Sequence, residues 1–382
     1  MPEITVERLD WRQWSGLAPH WERIHRLSPN ASFFLSRSWV DCWLSTFGDE
    51  LKPELLAFRK GGEIAGCCLL VCRTQWEWGI PLRRIFLNCA GENEEDSTCI
   101  EHNSLLSLPE VTEPVAKALW KYLLGRSWDE LHLEAMISDC GLCREAESIG
   151  GAEISEQPVR YVDLARLRAE GVDFDNVLSA KARKNIRRTH RAYDQIGGTC
   201  AVRSASSAEE AIAMLRQLAG LHQVSWTGRG RPGVFSSPKF VSFHESLIRR
   251  TFSDGRILLF EARTGSEVIG ILYCFIDRGW IRFYQCGFNY ALDARQSPGL
   301  LTLYLLIRQC LERQEYQALD FLAGDMQYKR SLATDSQNLR WMVVRRLTAP
   351  SLVFRGLRSL KRAYRGMAEG RRQANPPAED AD

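Results

Sequence analysis

The stretch that decides the fold is LLFEARTGSEVIG, residues 258–270, in which two apolar runs flank a glycine-containing turn. This pattern predicts a β-hairpin. A similar pattern occurs earlier in the chain, as LLAFRKGGEIAG at residues 55–66. Each copy follows an aromatic-rich stretch with helical spacing, which starts at Phe33 in the first half and at Val234 in the second. A pattern repeated in this order predicts two copies of one α/β unit.

Downstream of each hairpin the sequence continues with a further strand, a helix and a last strand, at 130–134 in the first half and 318–322 in the second. The order of elements therefore agrees between the halves, and we expect them to join near residues 155–175. The predicted organisation is an N-terminal unit, a C-terminal unit, a basic amphipathic tail and a disordered end, at residues 1–160, 170–345, 346–375 and 376–382.

The order helix, antiparallel hairpin, strand, helix and strand resembles the acyltransferase unit of the GNAT superfamily. Its doubling, with a basic helix at the start of the second copy, resembles the CelD/BioF-type acetyltransferases, which are related to the Fem-type aminoacyl transferases of peptidoglycan synthesis. The resemblance implies an α/β (α+β) fold of tandem GNAT-like domains, each with a mixed, mostly antiparallel sheet flanked by helices. The residues that carry it are 179–188, the hairpin 257–275, Ser297-Pro298-Gly299, and Gly324-Asp325 with Tyr328-Lys329-Arg330.

Composition limits the class of protein. The 382 residues are 45% hydrophobic and 25% charged, which is typical of globular proteins, and the chain is too long for one average domain. No run reaches the roughly 18–20 apolar residues of a membrane span, and the first residues lack the basic and apolar regions of a signal peptide. We therefore expect a cytoplasmic protein, which its tail could place at the inner face of the cell membrane.

The 12 cysteines are placed like buried apolar residues, as expected in a reducing cytosol. Cys67 and Cys68 are adjacent in an apolar run, and Cys274 lies in another. Cys140 and Cys143 form a CxxC, but no second pair completes a zinc site. The seven histidines do not cluster at metal spacing. The sequence therefore predicts no metal.

The turn before the second-half helix, residues 293–300, is the predicted donor site. Ser297 suits an N-cap and Pro298 suits the first helical position, while Gly299 lets a ligand approach the backbone closely. Exposed amides at a helix start bind phosphate oxygens. A plain capped helix is the alternative. The resemblance places the pyrophosphate of acetyl-CoA or another acyl-CoA here, on Arg295, Gln296, Ser297, Gly299 and Leu300.

The corresponding helix of the first half begins near Pro109 with two carboxylates, Glu110 and Glu113, and it follows an acidic loop at residues 92–96. Negative charge suits the helix dipole but repels a phosphate. We therefore expect only the second half to hold a phosphorylated donor, while the first half helps to shape the acceptor cleft.

Residues 181–191 contain six cations and a histidine but no acid. Four cations recur with helical spacing on one face, and Ala182, Ile186 and Tyr193 occupy another face that can pack down. A sugar nucleotide, a lipid diphosphate, a glycan, tRNA or coenzyme A would offset the repulsion, and a solvated face is the alternative. The predicted substrate-binding residues are Lys181, Lys184, Arg187, Arg188 and Arg191 on this helix, and Trp226 in a loop that borders the acceptor cleft in the resembled group.

The segment Gly324–Arg330 follows the last strand, where α/β folds often place ligands. Asp325 is a candidate to accept a proton from the acceptor amine, and Lys329, like the matching lysine of the Fem-type group, to stabilise the developing negative charge. Tyr328 or Tyr304 could protonate the leaving thiolate. His222 is the alternative general base, although it also suits a packed helix end, and the Gly-Asp segment also suits a plain turn.

The tail contains a second basic pattern. Within residues 351–365, Val353, Leu357, Leu360 and Tyr364 form one helical stripe among arginines and a lysine. Such a helix can lie on an anionic bilayer, or it can dock its stripe on the body of the protein.

Together these patterns predict an N-acyltransferase (acetyltransferase) that carries an acyl group from acyl-CoA to an amine of a sugar or of a cell-envelope or exopolysaccharide precursor. The partner would be a small-molecule or lipid-linked glycan, with no DNA. No activated nucleophile motif is present, so we expect the amine to attack the thioester directly. One alternative is a Fem-like transferase that uses aminoacyl-tRNA, the only reading that requires tRNA. The other is a catalytically degenerate scaffold in polysaccharide biosynthesis.

Overall fold

The computed structural model describes residues 3–138, 140–148 and 151–374, with side chains up to residue 361. The first half consists of β1 (Ile4–Asp10), α1 (Trp14–Leu27), α2 (Arg37–Leu51), β2 (Glu54–Lys60), β3 (Glu63–Glu77), β4 (Ile80–Leu87), β5 (Leu106–Ser107), α3 (Thr112–Leu124), β6 (Glu130–Ile137), α4 (Gly141–Ser148) and β7 (Ala152–Asp163).

The second half begins with two short helices and the longer helix α7, then follows a similar order and ends in the tail. It consists of α5 (Leu164–Glu170), α6 (Phe174–Val177), α7 (Ala180–Gly197), β8 (Cys200–Ser204), α8 (Ala208–Thr227), α9 (Pro238–Thr251), β9 (Ile257–Thr264), β10 (Glu267–Asp277), β11 (Trp280–Phe288), α10 (Pro298–Leu311), β12 (Ala318–Ala323), α11 (Gln327–Leu332), β13 (Asp335–Arg345) and α12 (Ala349–Ala374).

The two predicted hairpins are confirmed as β2–β3 and β9–β10, both antiparallel. Gly61 and Gly62 turn the first with φ of 59° and 91°, and Gly265 turns the second with φ of 54°. These are left-handed conformations that glycine adopts without a steric penalty, so the glycines of the quoted stretches set the turns. The predicted α/β fold class, with helices flanking a mostly antiparallel sheet, is confirmed.

The halves exchange their last strands. Apart from β5, which pairs with β3, the strands follow one path in the order β1-β2-β3-β4-β6-β13-β7-β12-β11-β10-β9-β8. Strand β7 ends the first half but pairs with β12, and β13 ends the second half but pairs with β6. Strand β7 and helix α5 occupy most of residues 155–175, so the region where we expect the halves to join consists mainly of regular secondary structure. The strands predicted as last, β6 and β12, are each followed by another.

One aromatic core crosses the two halves. Helices α1 and α2 of the first half and α8 and α9 of the second contribute to a single cluster on one face of the sheet. Trp39 on α2 is fully buried, and its ring centre lies 4.8 Å from that of Phe243 on α9 and 5.6 Å from that of Phe275 on β10. Phe33 stacks on Phe275 at 4.4 Å. The other sheet face carries separate clusters for the first and second halves.

Each half contains one parallel strand pair that separates after three residues. Strands β4 and β6 pair over residues 84–86 and 130–132, and β11 and β12 pair over 280–282 and 318–320. Strands that part in this way leave peptide groups facing a gap and in need of partners. We call these the first-half gap and the second-half gap.

The first-half gap is filled by the chain itself. The amide of Asn103 donates to the carbonyl of Ala135 at 2.9 Å, and its Nδ2 donates to the carbonyl of Leu87 at 3.2 Å. This residue lies in the long connection 88–111. The corresponding connection of the second half, 289–297, is shorter, and a cleft opens there instead.

Helix α12 docks on the body through a face that the sequence did not indicate. Phe354 is buried, and Arg358 pairs with Glu153 at 2.7 Å. The predicted stripe lies on the surface, because its members Val353, Leu357 and Leu360 are all exposed. Tyr364, and the end predicted to be disordered at 376–382, lie outside the described side chains. Within the described residues, no helix is both long and apolar enough to cross a bilayer.

All 12 cysteines are free, and those in apolar runs, such as Cys67 and Cys274, are buried as predicted. The ligand atoms of His190, Asp194 and Cys200 lie within 4.8 Å of one another, so the described part of the chain contains one group that could hold a metal. The amide of Cys200 already donates to Asp194 at 2.9 Å. The absence of a metal stays a prediction.

Replacing Trp39 with alanine should lower the free energy of unfolding by about 3–5 kcal/mol, the usual cost of truncating a large buried aromatic side chain. Because its contacts cross both halves, unfolding should remain one cooperative transition. Urea titration followed by circular dichroism measures both quantities. Trp76→Ala, at an exposed position, is the matched control and should change the free energy by less than about 0.5 kcal/mol. Separate transitions for the two halves would contradict a shared core.

Candidate active site

A cleft of about 1040 Å³ opens at the second-half gap. Its lining comes from β11 and β12, from the starts of α7 and α10, from the end of α8 and from α11. Two residues of the first half, Cys99 and Glu101, also line it. A concave site of this size, built on several elements, can enclose a small-molecule ligand.

Part of the cleft wall is apolar. Phe283 and Phe288 on β11, Leu303 on α10 and Phe321 on β12 all line it. Phe283, Leu303 and Phe321 are nearly inaccessible to solvent. The region between the separated strands can therefore accept an apolar chain or arm.

The predicted basic helix and the predicted donor loop form one site. Asn185 Nδ2 donates to Ser297 Oγ at 3.1 Å, and Arg188 Nη2 donates to the carbonyl of Arg295 at 3.3 Å. The cations of α7 that line the cleft are Lys181, Lys184 and Arg188. They therefore stand beside the start of α10, where a diphosphate would meet both positive charge and free amides.

The cation face differs from the predicted one. Arg187 points to Asp175, with Nη2 and Oδ2 3.7 Å apart, and neither Arg187 nor Arg191 is among the residues that line the cleft. The cleft-facing row is offset, because Ala182, Ile186, Thr189 and Tyr193 form the buried face and thereby fix the rotation of the helix. The predicted packing of Ala182, Ile186 and Tyr193 is confirmed.

The loop before α10 has the predicted shape but different contacts. Pro298 is the first helical residue and Ser297 stands at the N-cap position, but the hydroxyl of Ser297 makes no capping bond. It accepts the hydrogen bond from Asn185 instead. A Cβ atom on Gly299 would lie 2.8 Å from the ring of Phe288, so packing as well as ligand access requires glycine there. Gln296 and Leu300 line the cleft as predicted.

Arg295 lies outside the cleft. Its side chain is 88% exposed and pairs with Asp293 at 3.1 Å. It borders a smaller depression of about 460 Å³ with Arg188 and Gln296. The prediction that Arg295 supplies charge to the cleft is not met by this geometry, since its guanidinium is already neutralised by a neighbouring carboxylate.

Lys329 lies at the inner part of the cleft. It is buried, and its Nζ donates to the carbonyls of Leu322 at 2.9 Å and Ala323 at 2.6 Å. Leu322 adopts a left-handed φ of 58°, which is rare for leucine and typical of functional sites. Burial lowers the pKa of Lys329, although the negative charges of Glu101 and Asp320 oppose this.

Two other predicted catalytic residues face elsewhere. Asp325 is exposed, and it accepts a hydrogen bond from Arg160 at 2.8 Å and pairs with Arg330 at 3.3 Å. Tyr304 donates to Asp175 at 2.7 Å. Neither Asp325 nor Tyr304 is among the described residues that line the cleft. The geometry therefore does not bring them together with Lys329, and their roles as proton acceptor and proton donor stay predictions.

Tyr328, His222 and Trp226 do line the cleft. Burial raises the pKa of the Tyr328 phenol. His222 is buried and stacks on Trp226 with ring centres 5.5 Å apart. Burial lowers the pKa of His222, with a weak opposing hydrogen bond to Gln223. It is thus both a packed helix-end histidine and a cleft residue.

Glu101 is a cleft residue that no sequence pattern predicted. Its Oε2 accepts a hydrogen bond from the amide of Ala323 at 2.7 Å. Burial raises the pKa of Glu101 to about 7; the charge of Asp320 adds to this, while the Ala323 amide, Lys329 and Arg282 act against it. No periodicity or motif surrounds Glu101 in the sequence, so only the folded chain shows that it reaches the second half.

A close contact between two buried polar side chains holds this connection in place. His102 Nε2 lies 2.8 Å from Asp320 Oδ2, and both side chains are buried. Burial alone would raise the pKa of Asp320, but His102, Arg282 and the Leu322 amide outweigh it and lower the pKa. The neighbouring Glu101 is therefore positioned at the cleft by a contact between the two halves.

The cleft thus combines two kinds of chemistry. At one end, cations and helix-start amides suit an anionic group. At the other, a carboxylate with a raised pKa and a lysine with a lowered pKa act on each other and can move a proton and stabilise negative charge. Apolar side chains lie between them.

Comparison with known proteins agrees with this geometry. Residues 180–330 match the family model described as an acetyltransferase (GNAT) domain. No curated protein matches the chain in sequence. The narrower CelD/BioF assignment stays a prediction.

Solved structures share the whole fold. The chain is similar to FemX with a TM-score of 0.54 and 10% identity, covering 85% of this chain and 95% of that one. It is similar to the C-terminal domain of a putative lysylphosphatidylglycerol synthetase from Agrobacterium fabrum with a TM-score of 0.51 and 8% identity, covering 89% and 94% of the chains. At these identities the likeness shows the tandem GNAT-like fold alone.

Proposed function

We propose that the chain is an N-acyltransferase that carries an acyl group from acyl-CoA to an amine of a sugar or of a cell-envelope or exopolysaccharide precursor. The observation that supports this best is the cleft, in which a cationic rim and a Glu101–Lys329 pair face the same space. Transfer from a phosphorylated thioester to an amine needs both an anion site and acid–base groups. The sugar acceptor rests on the CelD/BioF resemblance.

The diphosphate of the donor would lie at the rim. Lys184 and Arg188 supply positive charge. The amides of Gly299 and Leu300 are free to donate, because the first amides of a helix have no carbonyl of a preceding turn to bond. The chain that links the diphosphate of the donor to its thioester would then pass Phe288 and enter the second-half gap. The unpaired edges of the separated strands can bind its amide groups.

Glu101 would take the proton that the attacking amine releases. With a pKa of about 7 it is partly ionised at neutral pH and suited to this task. As the nitrogen bonds to the thioester carbon and the carbon–sulfur bond breaks, Lys329 can use its third N–H on the developing oxyanion, since two already bond to carbonyls. The leaving thiolate would take the proton of the Tyr328 phenol, whose raised pKa keeps it protonated until that step.

A second candidate is a Fem-like transferase that uses aminoacyl-tRNA. One observation favours it: Arg187 and Arg191 continue the positive charge of α7 beyond the cleft, so this surface is longer than a diphosphate needs. A catalytically degenerate scaffold is the third candidate. Donor binding separates all three.

Removing Lys184 and Arg188 together should weaken acetyl-CoA binding at least about tenfold, because hydrogen bonds to charged groups contribute about 1.5–3 kcal/mol each. Calorimetric titration of the wild type and of Lys184→Ala/Arg188→Ala measures this. The matched control is Arg187→Ala/Arg191→Ala, which removes the same charge from the same helix outside the cleft and should change Kd by less than about threefold.

Equal losses in the two double variants would show a diffuse charge effect and contradict the rim. Wild-type protein that binds charged tRNA but no acyl-CoA would favour the Fem-like transferase. Protein that binds neither would favour the scaffold.

Replacing Glu101 with glutamine should lower the rate of acyl transfer about 10²-fold, the usual contribution of a general base. The ionised carboxylate is the active form, so the wild-type kcat/KM should rise with pH through about 7, and the variant should lose this rise. Release of the coenzyme A thiol with a panel of amino sugars measures the rate. Acetyl-CoA titration checks that the variant remains folded.

Glu95→Gln is the control for this experiment, because Glu95 is exposed on the same connection. It should leave both the rate and its pH dependence unchanged. A Glu101→Gln variant with the wild-type pH profile would exclude Glu101 as the base.

A further inference from the structure

An apolar surface stands exposed where the tail helix crosses the β3–β4 hairpin. We define the tail surface as Trp76, Trp78, Val353, Leu357 and Leu360. Trp76 is 71% exposed and Leu360 is 68% exposed. Large apolar side chains that lie together on a surface mark an interaction site more often than single ones do.

Contacts join the β3–β4 hairpin to the tail helix. The ring centre of Trp78 lies 5.3 Å from that of Phe354, and Lys361 Nζ lies 4.6 Å from it. Leu357 comes three residues after Phe354 and four before Lys361, so it lies beside both on the helix. Val353 and Leu360 flank Leu357 at the same spacings. Trp78 in the turn of the hairpin therefore lies beside the stripe, and Trp76 is exposed two residues before it in the chain.

The charge beside this face has one sign. Between Ala349 and Lys361 the helix carries Arg355, Arg358 and Lys361 and no acid. Glu153 pairs with Arg358 and Arg345, and Glu77 pairs with Arg84, so the helix cations that remain to attract an anionic surface are Arg355 and Lys361. The sequence continues with Arg362 and Arg365 on the same helix.

We propose that the tail surface binds an anionic lipid bilayer. A helix with an apolar stripe and basic flanks lies in the interface plane of such a bilayer, with its apolar side chains among the acyl chains. Tryptophan is enriched at the level of the lipid headgroups, where Trp76 and Trp78 would lie. This inference stands apart from the proposed reaction, since it uses no residue of the cleft.

A second copy of the chain fits the same face less well. A twofold dimer through this surface would place each patch against itself. The cations that flank the stripe would then face their own copies, and like charges across an interface cost affinity. Anionic headgroups would pair with them instead.

Flotation of the full chain with vesicles tests the proposal. Vesicles of phosphatidylcholine with phosphatidylglycerol should carry the protein at low salt, and phosphatidylcholine alone should carry much less. High salt should reduce binding to the anionic vesicles, because the electrostatic part is screened. Val353→Ser/Leu360→Ser and Trp76→Ser should each lower the partition coefficient at least about tenfold.

Leu27→Ser is the matched control. Leu27 is 54% exposed at the end of α1, where Arg278 donates to the carbonyls of neighbouring residues. Replacing Leu27 should leave flotation unchanged. Circular dichroism confirms that each variant is folded. Wild-type protein that does not float with anionic vesicles would overturn the proposal. A dimer in sedimentation velocity that Val353→Ser/Leu360→Ser dissociates, without vesicle binding, would assign the face to a second copy.

Discussion

The exchange of β7 and β13 is the constraint on which the rest of the structure depends. Each half forms its own hairpin and parallel pair, but the strand beside that pair comes from the other half. Because β7 and β13 also pair with each other over ten positions, the two halves share one sheet and cannot move apart without breaking it. This arrangement brings the ends of β6 and β12 close together. The connection that follows β4 can therefore reach both.

The strand exchange gives the two gaps different contents. Asn103 replaces the missing strand contacts in the first-half gap, and the residues just before it, Glu101 and His102, then lie against β12. The same connection thus fills one gap and lines the other. The second-half gap stays open to a ligand, with a carboxylate from the first half at its side. That only the second half holds a phosphorylated donor stays a prediction, and the packing of Asn103 into the first-half gap agrees with it.

Local sequence patterns were sufficient to predict several elements of the fold and of the cleft. The hairpins, the basic helix, the loop at Ser297 and the cleft position of Lys329 follow from periodicity, turn residues and the GNAT resemblance. The features that the sequence could not predict depend on contacts between residues far apart in the chain. Glu101 acquires its setting from Ala323, and Asp325 is removed from the cleft by Arg160, a contact between residues 165 positions apart. The stripe of the tail was predicted from its spacing. Which face docks is decided by Trp78, in the turn between β3 and β4, and by Glu153 on β7, and pattern alone places neither beside the tail.

A crystal structure with coenzyme A tests the central claim most directly, namely that the second-half gap is a donor site completed by the first half. We expect the pyrophosphate between Arg188 and the amide of Gly299, the arm between β11 and β12, and the thiol near Glu101 and Lys329. The first-half gap should remain filled by Asn103. Coenzyme A bound in the first-half gap, or a second-half gap that stays empty at saturating ligand, would contradict the account.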